Sequence, residues 1–270
     1  MLTLLHVGST RFVIVWNHLL HYYHPLSHLA MANTDTLLDV HGLSCVKDGQ
    51  PILSDVSFVV NEGDVCVVQG KSGSGKSTLL KCLAHLTLYD GDIHYRGRTP
   101  KNIGIPQYRT RVLYVPQRPS LLPGTPHEFL QAIGSFSARR LSGTKKAVAQ
   151  AQSDLEERAK GLAKAWGVDN GLWYRDWSSL SGGESQRIAL AAGLGCDAAE
   201  VLLLDEPTSA LDAETSLLVE KSLTGEVKSE EAEVKAIIWI THSEEQGGRV
   251  GTRFLQVQGG ICSEERLPDV

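Results

Sequence analysis

The chain has 270 residues, 42% hydrophobic and 21% charged, which suits one large α/β domain or two small ones with a sizeable buried core. Its 26 basic and 31 acidic residues give a net charge of −5, which argues against a nucleic-acid surface and for a partner recognised by shape. The five cysteines (Cys45, Cys66, Cys82, Cys196 and Cys262) are odd in number and lack CxxC spacing, which argues against a disulfide framework or zinc site and for a reducing compartment.

Residues 1–34 stand apart. Met1 to Ala30 holds one basic residue, Arg11, no acid, and five of the ten histidines: His6, His18, His21, His24 and His28. The run Phe12–Trp16 is too short to span a bilayer, and the segment lacks the basic start of a targeting peptide. Clustered histidines suggest metal binding. The plainer readings are a disordered extension or a start-site artefact, since Met31 opens a polar MANTD stretch. From Ala32 onward no apolar run approaches the roughly 20 residues of a membrane span, so service to a membrane would come from its surface.

The segments Leu37–Val40, Ile52–Val60 and Asp64–Gln69 read as strands, and the last runs straight into a glycine-rich turn. A helix is expected from Lys76 to about Leu86, and a short strand over Val112–Val115. Between Pro126 and Trp177 the pattern turns helical, with helices near His127–Ile133 and Lys145–Trp166, the second interrupted by Gly161. Ser137–Thr144 between them reads as a loop. Apolar runs return at Val201–Leu204 and Ile237–Ile240, as expected of strands buried on both faces. Strands alternating with helices imply a mainly parallel sheet, with ligands beyond the carboxyl ends of its strands.

Residues 70–77, GKSGSGKS, match G-x-x-x-x-G-K-[ST] between a strand and a helix. Gly70, Gly73 and Gly75 let the backbone curl so that its N–H groups, including those of Lys71, Ser72 and Ser74, face phosphate oxygens. The helix opening at Lys76, Ser77 and Thr78 adds a favourable field. Lys76 suits the β- and γ-phosphates, and Ser77 a magnesium ion. Asp205 ends an apolar strand where a metal-shell carboxylate is needed, and Glu206 follows as a candidate general base for water.

Residues 180–186, LSGGESQ, taken with this phosphate loop, resemble the signature of the ABC ATPase family. The order of the other motifs agrees: Gln117 after VLYVP resembles the Q-loop glutamine, PTSALD at 207–212 the D-loop, and His242 after IIWIT the switch histidine. The resemblance covers residues 37–262. It implies a P-loop NTPase of α/β class, with a mainly parallel central sheet, an N-terminal antiparallel β part and a helical insertion at about 126–180, all within 35–265.

The resemblance also implies ATP and Mg2+ as cofactors, Glu206, His242, Gln117 and Lys76 as catalytic residues, and Ser77, Gln117 and Asp205 around the metal. Ser181, Gly182 and Gly183 would offer N–H groups to ATP held by a second subunit, with Asp212 nearby. The implied role is the ATP-hydrolysing subunit of a transporter whose permease is a separate polypeptide, cytoplasmic and peripheral on the cytosolic face of a membrane. A soluble scaffold ATPase, as in iron–sulfur assembly, is the alternative. Ser243 and Gln246 form an S-x-x-Q capping box that would aim His242. Two departures stand out: Lys47 occupies the place of the adenine-stacking aromatic, and Ala192 the place of an arginine, with loss of a local ion pair expected.

Overall fold

A computed structural model describes residues 35–119, 122–138, 145–196, 198–229 and 233–265. The expectations for residues 1–34 and for 139–144 fall outside the described residues.

β1 (Thr36–Lys47) and β2 (Gln50–Asn61) form an antiparallel hairpin, turned by Asp48 and Gly49 at φ 51° and 76°. Positive φ at both turn positions matches the right-handed twist of the flanking strands. β4 (Asp90–Tyr95) adds on the other side of β1, completing the antiparallel sheet in the order β2-β1-β4.

The second sheet has the order β5-β6-β7-β3-β8-β9. Its strands are β3 (Val65–Gln69), β5 (Val112–Val115), β6 (Val201–Asp205), β7 (Ala236–Ile240), β8 (Arg253–Gln258) and β9 (Ile261–Glu265), parallel except for the last pair. Alternation of side chains sorts the sheet's residues into two cores. Cys66, Val68, Leu203, Ile238 and Ile240 pack with the β1–β2 hairpin and with α1 (Lys76–Leu83), whose Leu79, Leu80 and Leu83 are buried. Val67, Leu202, Leu204, Ile237 and Trp239 pack on the opposite face with α6 (Gly182–Leu194) and α7 (Ala213–Lys228).

α2 (Pro100–Ile103) and α3 (Ile105–Arg111) lead into β5, and α8 (Glu244–Val250) lies between β7 and β8. The helical insertion consists of α4 (Pro126–Ala138) and α5 (Lys145–Ala165), followed by short 3-10 turns at Asn170–Tyr174 and Trp177–Ser179. Trp166, Trp173 and Trp177 are buried with Leu130 and Leu155 of these helices. Trp166 Nε1 also donates to Ser222 Oγ of α7 at 3.0 Å.

Three expectations need adjustment. α1 ends at Leu83 rather than Leu86, because His85 takes a left-handed φ of 54° that stops the helix. α5 runs through Gly161 without interruption, since tertiary packing outweighs the roughly 1 kcal/mol propensity cost of glycine. α4 continues to Ala138, past the expected start of the loop at Ser137.

Candidate active site

The phosphate loop leaves the end of β3 and enters α1. Gly70, Gly73 and Gly75 have φ of 143°, 77° and 104°, values that side chains rarely adopt. At Gly70 space is also decisive: a Cβ there would lie 2.2 Å from the Val257 carbonyl oxygen and 2.9 Å from Ser74 Oγ. The Ser74 hydroxyl is buried without a hydrogen-bond partner, and α1 has no side-chain cap. The Ser74 N–H, expected to face phosphate, donates instead to the Lys71 carbonyl at 3.1 Å, so the donor Ser74 offers is its hydroxyl, beside an uncapped helix N-terminus of the kind an anion seeks. Lys71 and Ser72 are exposed on its outer turn, where with Gly73 and Ser74 they line a cavity of about 490 Å³. Thr78 lies in the first turn of α1.

Lys76 is 5% exposed, and its Nζ donates to the carbonyls of Gly70 at 2.8 Å and Lys71 at 3.0 Å. Burial pulls this ammonium below the ordinary lysine value, opposed by the charges of Glu206 and Asp205.

Ser77 Oγ donates to Asp205 Oδ1 at 3.0 Å across 128 residues of sequence. Two hard oxygen ligands thus share one point beside the loop, a donor set suited to Mg2+. The other Asp205 oxygen accepts from the Tyr114 hydroxyl at 2.9 Å. Burial, then the adjacent carboxylate, pushes the Tyr114 phenol upward, so it stays a donor that orients Asp205. Tyr114 escaped the sequence reading; its signal was a polar-tipped ring within an otherwise aliphatic strand.

Glu206 follows β6 in a left-handed conformation, φ 49°. One of its carboxylate oxygens accepts from Gln117 Nε2 at 2.7 Å, and the other lies 3.1 Å from His242 Nε2. The three residues, from the ends of β5, β6 and β7, thus meet at a single carboxylate. Gln117 spends its amide nitrogen on Glu206 rather than on the Ser77–Asp205 pair, so its expected metal role rests on its amide oxygen.

The signature residues need one correction. The Ser181 N–H already donates to Glu184 Oε2 at 2.8 Å, while Ser181 Oγ accepts from the Glu184 N–H at 3.3 Å. This reciprocal capping box takes Ser181's backbone donor out of anion binding, leaving those of Gly182 and Gly183. A Cβ on Gly183 would come within 3.0 Å of the Ala210 carbonyl oxygen, so close approach to the 207–212 loop also demands glycine here. Asp212 caps α7: its carboxylate accepts from the Thr215 N–H at 2.9 Å and hydroxyl at 2.8 Å.

Two further expectations fail. Ser243 caps α8, accepting from the Gln246 N–H at 3.2 Å, but the reciprocal half of the box is missing. The Gln246 side chain turns inward instead, to Thr208 and Glu220. Ala192 is fully buried in an apolar cluster, where no ion pair is available to lose and a charge would be costly to bury. Lys47 sits at the exposed end of β1, paired with Gln50 across the hairpin.

A glycine cradle with a buried lysine, a hydroxyl–carboxylate pair and a braced glutamate at the ends of parallel strands define a P-loop nucleotide hydrolase. The ABC transporter family profile matches residues 53–209. The phosphate import ATP-binding protein PstB 1 of Vibrio cholerae is 31% identical over 247 residues, 88% of this chain and 86% of that protein. The ABC-type transmembrane transporter verA of Clonostachys rogersoniana is 36% identical over 212 residues, 77% of this chain but 16% of that much longer protein.

Among solved structures, the dimeric post-hydrolysis state of the ATP-binding cassette MJ0796 bound to ADP and Pi superposes with a TM-score of 0.72 at 22% identity, covering 87% of this chain and all of that one. CbiO1 of Clostridium perfringens, part of an ABC transporter complex, gives 0.64 at 24% identity, covering 85% and 87%. The chain belongs to the ABC transporter family. It is an ABC-type ATPase.

Proposed function

We propose that this chain is the motor subunit of a transporter whose membrane-spanning permease is a separate polypeptide, and that two such subunits close around ATP on the cytosolic face. The observation that carries the reading is the convergence of Gln117 and His242 on the Glu206 carboxylate beside the Ser77–Asp205 pair. Bound ATP and Mg2+ supply the phosphoryl group and the charge that stabilises its transfer. Lys76 and the loop N–H groups hold the phosphates, and Asp205, oriented by Tyr114, and Ser77 hold the metal. Glu206 takes the proton of the attacking water at a carboxylate oxygen, while Gln117 and His242 fix its direction. The first turn of α6, at Gly182 and Gly183, presents donors to nucleotide held by the partner subunit.

No helix among the described residues is long and apolar enough to cross a membrane, consistent with a separate permease. The PstB relatives, import ATP-binding proteins by name, favour this arrangement over a soluble scaffold role. Affinity purification in mild detergent tests it: a polytopic membrane protein should co-elute, and co-elution of soluble assembly proteins alone would overturn it. For the dimer, Glu206→Gln should run as two copies on size exclusion with ATP and Mg2+, and as one copy without nucleotide. Ser181→Arg in that background should return it to one copy. A Glu206→Gln protein that stays monomeric at saturating ATP would refute the homodimer.

A further inference from the structure

Loop 206–212 carries Glu206 in a left-handed backbone conformation, φ 49°, which persists only where the surroundings over-determine it. Part of that restraint comes from α6: Gln186 Nε2 donates to the Glu206 carbonyl at 2.8 Å, and Gln186 Oε1 accepts from the Ala210 N–H at 3.0 Å. The opposite side is held by a second glutamine. Gln246 of α8 uses both hydrogens of its amide, donating at 2.7 Å to Thr208 Oγ1 and at 2.7 Å to Glu220 Oε1. Glu220 can only accept, so the amide nitrogen must face it.

Glu220 is itself anchored. It is a 4% exposed carboxylate in α7, and Arg249 grips it through Nε at 2.9 Å and a second nitrogen at 3.1 Å. Arg249 is held in turn by Glu245 at 2.7 Å. Thr208, Glu220 and Gln246 are all less than one-tenth exposed, so these bonds are shielded from water and geometrically specific. The network also shares a wall: Glu206, Thr208, Glu220, His242, Gln246 and Arg249 line one cavity of about 650 Å³.

We propose that Gln246, backed by Glu220, is a positioning residue for ATP hydrolysis. It ties α8, which begins two residues after His242, to the loop that begins at Glu206, so that the two ends of the hydrolytic pair are held as one unit. The paired strands β6 and β7 already fix the two strand ends, with the Glu206 N–H donating to the Ile240 carbonyl at 3.2 Å; the Gln246 bond extends that restraint past the strand ends, to the loop and the helix that carry Glu206 and His242. The inference rests on the roles assigned to Glu206 and His242 above.

The test compares Gln246→Leu, Thr208→Val, their double variant, and the conservative Thr208→Ser, in the full chain. Glu206→Gln serves as the control. Removing either partner of the Gln246–Thr208 bond should lower kcat by about tenfold, the size of one misplaced hydrogen bond, with KM for ATP held within about twofold. The double variant should be no worse than the poorer single one, because both cut the same bond. Thr208→Ser loses the methyl group but keeps the hydroxyl that accepts from Gln246, and should hold kcat within about threefold of wild type, whereas Thr208→Val keeps the packing volume and loses the bond. Should Gln246→Leu fail to fold, the near-isosteric Thr208→Val cuts the same bond and carries the comparison. A kcat within about twofold of wild type in Thr208→Val or a folded Gln246→Leu, with Glu206→Gln inactive, would overturn this inference and leave the base assignment standing. Additive losses in the double variant, or a loss in Thr208→Ser as large as in Thr208→Val, would also overturn it. An active Glu206→Gln would instead overturn the base assignment itself.

Discussion

Replacing Glu206 with glutamine isolates the proton-accepting role of one atom. The Glu206 side chain is 21% exposed and its two oxygens are committed, one to Gln117 at 2.7 Å and the other to His242 at 3.1 Å. Glutamine has the same length and keeps one oxygen acceptor. Its new NH2 group must face either Gln117, whose amide can rotate to present oxygen, or His242, whose ring nitrogen can accept in the neutral tautomer. Both neighbours therefore keep a hydrogen-bonded partner, and the fold should lose less than about 1 kcal/mol. The chemistry has no such remedy, because an amide does not take a proton from water. Losing general-base catalysis costs about 10²–10⁴-fold, or roughly 3–6 kcal/mol of barrier at about 1.4 kcal/mol per tenfold. Single-turnover phosphate release, with ATP binding measured on the same sample, is the assay. Hydrolysis within about tenfold of wild type, at unchanged ATP affinity, would show that Glu206 is not the base.

Lys76→Ala removes the ammonium now bonded to the Gly70 and Lys71 carbonyls, and ATP affinity should fall by about tenfold or more, the worth of at least one charge-assisted hydrogen bond; calorimetric titration reads this directly. Lys47→Tyr restores an aromatic ring at the hairpin end and should tighten ATP binding several-fold, since ring stacking contributes about 0.5–1.5 kcal/mol. Unchanged affinity would remove adenine from the neighbourhood of Lys47. The Ser181 N–H, then its hydroxyl, hold the Glu184 carboxyl below its ordinary value of 4.5. A depressed folded-state value stabilises the fold above pH 4.5 and loses that contribution as pH falls through it, so the Tm advantage of wild type over Glu184→Gln should close below that pH.

The nucleotide chemistry was legible in the sequence because it is written in short range. Eight consecutive residues specify the phosphate loop, and an apolar strand ending in Asp205-Glu206 specifies a carboxylate pair at a sheet edge, whatever the rest of the chain does. The order of Gln117, the 180–186 signature, the 207–212 segment and His242 carried the family for the same reason. Strands β4, β8 and β9 and the short helices α2 and α3 are not legible in the sequence, since their periodicity is too brief to stand out from turns.

Partnerships across the fold belonged to the tertiary structure alone. Ser77 meets Asp205 across 128 residues, Tyr114 braces Asp205 across 91, and Gln246 reaches Thr208 across 38. The S-x-x-Q pattern at Ser243 shows the difference most clearly. Local rules send Gln246 back to the helix cap, but the Ser243 N–H there already donates to Thr241 Oγ1 at 3.1 Å, while the buried Glu220 carboxylate draws the Gln246 amide inward. Ala192 follows the same logic: its identity answers to an apolar cluster that only the packed sheet and helices create. A sequence specifies what each side chain is able to do; the burial of its competitors for water decides which of those bonds it makes.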